Sequence, residues 1–146
     1  MPGGTITTVD TSSIAGQPHN LSINFINCLL SDGDNLWVGT EGCGLNLFSP
    51  KRIDTKMLCH NPAVPSSLSP NGVNAIHEDG DGTLWVGTVE GGLNRGASGY
   101  ESGFSHFTCA DATLPHNSVS AITSDHTGHL WVGTWGGGLA RGTDRR

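Results

Sequence analysis

The string Leu36-Trp37-Val38-Gly39-Thr40 returns unchanged at residues 84–88 and 130–134. Its tryptophans are 48 and 46 residues apart. Each copy runs into a glycine cluster that ends in leucine: Gly42-Cys43-Gly44-Leu45, Gly91-Gly92-Leu93 and Gly136-Gly137-Gly138-Leu139. The distance from tryptophan to that leucine is eight residues each time. A β-prone pentapeptide recurring every 40 to 50 residues or so is the pattern of small sheets repeated about an axis.

Working outward, Ile26-Asn27-Cys28-Leu29 aligns with Val73-Asn74-Ala75-Ile76 and Val119-Ser120-Ala121-Ile122, which reads as a first strand, A. An Asp/Gly turn follows: Asp32-Gly33-Asp34-Asn35, Asp79-Gly80-Asp81-Gly82 and Asp125-His126-Thr127-Gly128. From Ile26 to Trp37 is 11 residues, against 12 in the other copies, so the first turn has lost one residue where length changes cost least. The repeated pentapeptide is strand B, the glycines make the next turn, and Leu45-Asn46-Leu47-Phe48, Leu93-Asn94-Arg95 and Leu139-Ala140-Arg141 form strand C. Lys56-Met57-Leu58-Cys59 and residues 104–108 read as strand D. Residues 5–9, rich in β-branched side chains, stand where later repeats carry their final strand. Proline-bearing connections lead from D to the next A, and proline keeps them from pairing as strand.

The chain is therefore expected to be all-β: about three four-stranded propeller blades in a partial ring or open arc, one domain over residues 1–146. The repeats fall at approximately 21–68, 69–116 and 117–146. No helix longer than about two turns is expected, because no 3.6-residue periodicity is sustained. Strands A and B do not alternate polar with apolar, as suits sheets covered on both faces. Trp37, Trp85 and Trp131, with Gly39, Gly87 and Gly133, are read as structural. The rings pack between blades, each indole N–H needing one partner. Cys28 aligns with Ala75 and Ala121 in a small buried slot, and Cys43 falls where the other copies have glycine. Cys59 and Cys109 read as equivalent positions of successive repeats, too far apart for a disulfide.

The bulk properties exclude several function classes. The net charge is −6 and basic residues adjoin only in the pairs Lys51-Arg52 and Arg145-Arg146, so nucleic acid is not an expected partner. No stretch approaches 18 apolar residues, so no membrane contact is expected of this segment. Met1-Pro2-Gly3-Gly4 has neither a basic nor an apolar leader region, so no secretory signal is expected. Cys-x-x-Cys pairs are absent, and no cofactor or metal site is read from the sequence.

Residues 71–95, from Asn71-Gly72-Val73-Asn74-Ala75-Ile76 through the Asp/Gly turn and Leu84-Trp85-Val86-Gly87-Thr88 to Gly91-Gly92-Leu93-Asn94, resemble the two-component regulator propeller repeat. The spacer Pro65-Ser66-Ser67-Leu68-Ser69 is similar to that family's linker. Three copies cover roughly residues 21–142, the first departing most. The resemblance implies propeller blades of the kind that form the extracytoplasmic sensor region of hybrid histidine kinases, where they are thought to sense glycans or their breakdown products. It thereby suggests a periplasmic location and a signalling role as a ligand-sensing or interaction module rather than an enzyme. A propeller lyase or hydrolase, and a stand-alone scaffold closing by homo-oligomerisation, are the alternatives, since fold alone does not decide function.

No nucleophile-elbow, zincin or phosphate-loop motif is present, and no catalytic residue is assigned. Asp79-Gly80-Asp81-Gly82 hints at a calcium loop but lacks the bidentate Glu and reads as a hairpin turn. The histidines share no register. Glu78 and Asp79 are adjacent on a strand end and so face opposite ways. The B–C and D–A loops share one rim of a propeller, and there the sequence places Glu41, Glu90, Trp135, Asn61, Asn71, His116 and Asn117. These are the candidate ligand-binding residues, suited to a glycan or other small polar ligand with Trp135 as stacking platform. Asn71 and Asn117 recur in register, which favours a turn role. Three blades do not close a ring, and the two end faces together expose on the order of 600 Å². The partner expected to cover them is the rest of a longer propeller chain or, second, a homodimer completing six blades.

Overall fold

The computed structural model describes residues 4, 25–49, 54–70, 72–97 and 100–142. The strand expected at residues 5–9 and the candidate Asn71 lie outside these. The described chain forms three antiparallel meanders. Blade 1 contains β1 (Ile26–Asp32), β2 (Asn35–Thr40), β3 (Leu45–Ser49) and β4 (Asp54–Leu58), paired in that order. Blade 2 contains β5 (Val73–Glu78), β6 (Leu84–Thr88), β7 (Gly92–Gly96) and β8 (Ser105–Phe107). Blade 3 contains β9 (Val119–Ser124), β10 (Leu130–Thr134) and β11 (Leu139–Arg141). Helix among the described residues is one 3-10 turn, Cys109–Asp111.

The pentapeptide explains the packing residue by residue, because successive side chains of a strand face opposite ways. Leu84 and Val86 join Trp37, Leu45 and Leu47 in the core between blades 1 and 2. Leu130 and Val132 join Trp85 and Leu93 in the core between blades 2 and 3. Leucine and valine of strand B thus face the preceding blade, and tryptophan faces the following one. The glycine faces forward too, and it leaves a hole. A Cβ on Gly39 would lie 2.7 Å from Val73, and one on Gly87 would lie 2.4 Å from Val119. The first valine of each strand A is therefore a knob seated on the glycine of the blade before. Both valines are fully buried, worth roughly 2 kcal/mol each in transfer terms.

Each strand A also carries a bulge between this knob and the residue opposite the glycine. The bulged asparagines reach forward: Asn27 Nδ2 donates to the Val73 carbonyl at 3.1 Å, and Asn74 Nδ2 to the Val119 carbonyl at 3.2 Å.

The Asp/Gly turns carry a second repeated bond. Trp85 Nε1–H donates to Asp79 at 2.7 Å, and Trp131 Nε1–H to Asp125 at 2.8 Å. Both aspartates precede the tryptophan by six residues. In blade 1 the shortened turn puts Asp32 five before Trp37, and the buried Trp37 Nε1 has no partner among the described residues. Arg95 and Arg141, paired across from Trp85 and Trp131, lie over those rings at 5.9 and 5.6 Å. Trp37 meets the Tyr100 ring edge-on at 5.1 Å instead.

The D–A linker is locked from beneath. Leu68 is buried in the first core and Leu114 in the second, each five residues before its knob. Asn94, fully buried, accepts the Ser69 N–H at 2.9 Å and donates to Ser69 Oγ and the Val86 carbonyl. Blade 3 has Ala140 opposite Val132, where blade 2 has Asn94 opposite Val86. It also has Pro115 after Leu114, where blade 2 has Ser69 after Leu68. Proline has no N–H to donate and alanine no atom to accept it, so the two changes go together.

Two expectations need correction. Strand D of blade 2 is shorter than residues 104–108, because Phe104 turns into the core and donates its N–H to the Ser66 carbonyl at 2.7 Å. Cys59 and Cys109 are not equivalent: Leu45 pairs with Leu58 and Leu93 with Phe107, which sets Cys59 against Thr108. All four thiols are free, and burial pushes Cys28 up to about 11.

Candidate ligand-binding rim

The B–C turns are built by the threonine of the pentapeptide. Thr40, Thr88 and Thr134 each donate their hydroxyl to the carbonyl four residues on, at 2.7, 3.1 and 2.8 Å. That residue is Gly44, Gly92 or Gly138, each at positive φ, a conformation glycine adopts without a Cβ penalty. The residue after each threonine donates its N–H to the start of strand A: Glu41 to Phe25, Val89 to Gly72, Trp135 to Ser118, at 3.0, 2.7 and 2.9 Å. Glu41, Val89 and Trp135 therefore occupy one register around the same end of the inner strands. Glu90 takes the next position, and it is left-handed at φ 64, where the third copy has Gly136 at φ 110.

Ser118 gathers three of the candidates. Its hydroxyl accepts the Glu90 N–H at 3.1 Å and lies 3.4 Å from Glu90 Oε1 as donor. Its N–H donates to His116 Nδ1 at 3.0 Å, so the neutral imidazole carries its proton on Nε2. Its carbonyl holds the Trp135 backbone. Ser118 is itself buried, whereas Glu90 is exposed and the Trp135 side chain is 58% exposed. The Glu90 carboxylate, the His116 imidazole and the backbone of exposed Trp135 thus meet at Ser118, between blades 2 and 3. Ser118 carries no signal in the sequence: it is an ordinary loop residue aligned with Gly72 and Phe25.

Of the other described candidates, the two asparagines serve the loops. Asn61 closes its own turn, Oδ1 accepting the Ala63 N–H at 3.0 Å. Asn117 Oδ1 accepts the Cys109 N–H and its carbonyl accepts that of Gly92, both at 2.8 Å, which ties linker to blade. Glu41 is exposed on the turn of blade 1, and Asn71 is outside the described residues.

The A–B turns use their acids on themselves. Asp79 holds Trp85, and Asp81 accepts the Thr83 N–H at 3.0 Å, which lowers its pKa. The Thr127 hydroxyl and then the Trp131 indole hold Asp125 well below the usual carboxylate range. Glu78 is raised, first by burial and then by the Asp32 carboxylate of blade 1. Its acidic neighbour in space therefore comes from the adjoining blade. Among the described residues no group of three or more His, Cys, Asp or Glu could hold a metal ion, and no helix is long and apolar enough to cross a membrane.

The two component regulator propeller model matches residues 20–42, 67–90 and 113–136, so the chain is built of three repeats of that family. Among solved structures it is similar to the extracellular domain described as that of a hybrid two component system, BT3049, from B. thetaiotaomicron. The TM-score is 0.78 at 24% identity, over 90% of this chain and 18% of that one. It is also similar to the extracellular domain described as that of a one component system, BT4673, from the same organism, with TM-score 0.70 and 21% identity, over 88% of this chain and 18% of that one. The chain thus spans less than a fifth of the length of these structures, and the likeness is one of fold. Among curated proteins no match was found.

Proposed function

We propose that this chain is a three-blade section of a sensing propeller whose B–C rim at blades 2 and 3 recognises a small polar, sugar-like ligand without turning it over. The observation that carries the reading is Ser118, a buried residue that fastens Glu90, His116 and the backbone of exposed Trp135 into one patch. An indole face offers a stacking platform for a pyranose ring, while Glu90 accepts and His116 Nε2–H donates toward hydroxyls. The left-handed backbone at Glu90 supports it further: a glutamate there costs on the order of 1–2 kcal/mol relative to glycine, and such strain gathers at functional positions. In this reading Asn117 and Asn61 shape the loops, and Glu41 stands outside the patch.

Calorimetric titration with a panel of neutral oligosaccharides tests it. At least one sugar is expected to bind saturably and be recovered intact. Trp135→Ala should weaken binding about tenfold or more, as loss of an aromatic anchor does. Glu90→Gly should weaken binding while raising the melting temperature, a pairing that a purely structural glutamate would not give. Binding unchanged in both variants, or sugar cleavage lost on mutating the rim, would overturn the proposal.

A further inference from the structure

Two of the four cysteines stand at positions that neighbour each other in the repeat. Counted from the tryptophan, Cys43 takes the place of Gly91 and Gly137. Strand pairing sets Cys59 against Thr108. In blade 2 these two positions face one cleft, which Gly91 and Thr108 both line. The backbone beside them is built alike in both blades. A Cβ on Gly44 would lie 2.3 Å from the Leu58 carbonyl oxygen and 3.2 Å from the Cys59 Cα. One on Gly92 would lie 2.3 Å from the Phe107 carbonyl oxygen and 3.1 Å from Thr108. The B–C turn therefore packs against the end of strand D. In blade 1 this brings the Cys59 sulfur to 3.6 Å from the Cys43 carbonyl oxygen. The register carried one step past the Leu45–Leu58 pair puts Gly44 opposite Cys59, so Cys43 and Cys59 are diagonal neighbours. Such neighbours on paired strands stand about 6 Å apart at Cα, within the roughly 4.4–6.8 Å that disulfides span. Both thiols are free and half-buried. The other two are placed differently. Cys28 packs under Gly39, whose Cβ would lie 2.3 Å from its sulfur, and Cys109 opens the 3-10 turn at the surface.

We propose that Cys43 and Cys59 form a redox-modification site, a dithiol that a small-molecule disulfide oxidises to a reversible bridge within blade 1. The Cys43 thiolate attacks one sulfur of oxidised glutathione, whose S–S bond breaks and releases one glutathione thiolate. The Cys59 thiolate then attacks the Cys43 sulfur of the mixed disulfide and expels the second glutathione. Two protein thiols give up two electrons and two protons, and the glutathione disulfide becomes two thiols. Burial, and then the neighbouring Cys43, raises the Cys59 pKa. That suits Cys59 to the second step, where holding the two sulfurs together makes up for a smaller thiolate fraction. The bridge fastens the B–C turn of blade 1, which carries Glu41, to the head of the D–A linker. It involves blade 1 alone and does not depend on what blades 2 and 3 bind.

Incubation of the full chain with oxidised glutathione, alkylation of the remaining thiols and peptide mapping by mass spectrometry test it. A Cys43–Cys59 bridge is expected, in at least tenfold excess over the glutathione adduct of exposed Cys109 in the same buffer, and dithiothreitol should reverse it. The bridged chain should melt about 5 °C or more above the reduced one, because the bridge restricts the unfolded chain. Cys43→Ser and Cys59→Ser should each leave the other cysteine as a thiol or a glutathione adduct, with no such rise. Cys109→Ser should behave as the parent does. Adducts that persist on Cys43 beside a free Cys59, bridges to Cys28 or Cys109 or between copies, or no oxidation at all would each overturn the proposal.

Discussion

Trp85 and Trp131 donate their indole N–H groups to carboxylates, and Trp37, buried like Trp85, has no described partner for the same atom. Phenylalanine at either buried position loses ring volume, but only at position 85 does it also break a charge-assisted bond. Trp85→Phe is therefore expected to cost about 1–2 kcal/mol more than Trp37→Phe in urea unfolding, and equal costs would show that the Asp79 bond is idle. Asp125 gives a pH signature. Its folded pKa is depressed, so its contribution is fully present above the unfolded value near 4 and is lost as pH falls below it. The unfolding midpoint should drop from about pH 4 downward, and Asp125→Asn should flatten that drop; a variant with the parent's slope would place the titration elsewhere. The need of each indole for a partner was legible in the sequence, and so was the missing residue in the first turn. Their connection was not, because it requires knowing that the turn folds its aspartate back over the ring.

The strand is the element that the pentapeptide writes almost completely. Leucine and valine face back, tryptophan and glycine face forward, and threonine closes the turn. The glycines of strand B look alike in sequence but differ in consequence. Gly87→Ala drives a methyl into Val119 and should cost about 1–3 kcal/mol, the usual range for overpacking. Gly133→Ala meets its nearest atom at 3.4 Å and should change the melt of the isolated chain little. Equal losses at both sites would contradict the knob-and-hole reading. Strand C tells the same story in polar terms. Asn94→Ala leaves Ser69 with a buried N–H unpaired and should cost about 2–4 kcal/mol, while Ala140→Asn should gain nothing, because Pro115 has no N–H to meet it. Strands A to C were readable because their repeat fixes register. Strand D was not, because its pairing in blade 2 is cut short by Phe104, whose burial is decided by the neighbouring blade.

At the scale of the molecule the blades set out an arc with two rims, and on the B–C rim Ser118 ties Glu90, His116 and the backbone of Trp135 together. The order of the loops in the sequence is what puts the candidates on that rim. It did not separate Glu90, His116 and Trp135 from Asn61 and Asn117, because asparagine in a turn and asparagine at a site look the same until the acceptor of each amide is known. Ser118, which sorts them, is silent in sequence. The reading therefore turns on whether a ligand meets this patch and not the A–B turns opposite. Amide and indole resonances followed by NMR during titration with a neutral oligosaccharide answer that directly. Saturable shifts are expected at the Trp135 indole and at the Glu90 and Ser118 amides, with the Trp85 and Trp131 indoles, held by Asp79 and Asp125, unmoved. Saturable shifts confined to the A–B turns, or none at Trp135 with any sugar of the panel, would contradict it.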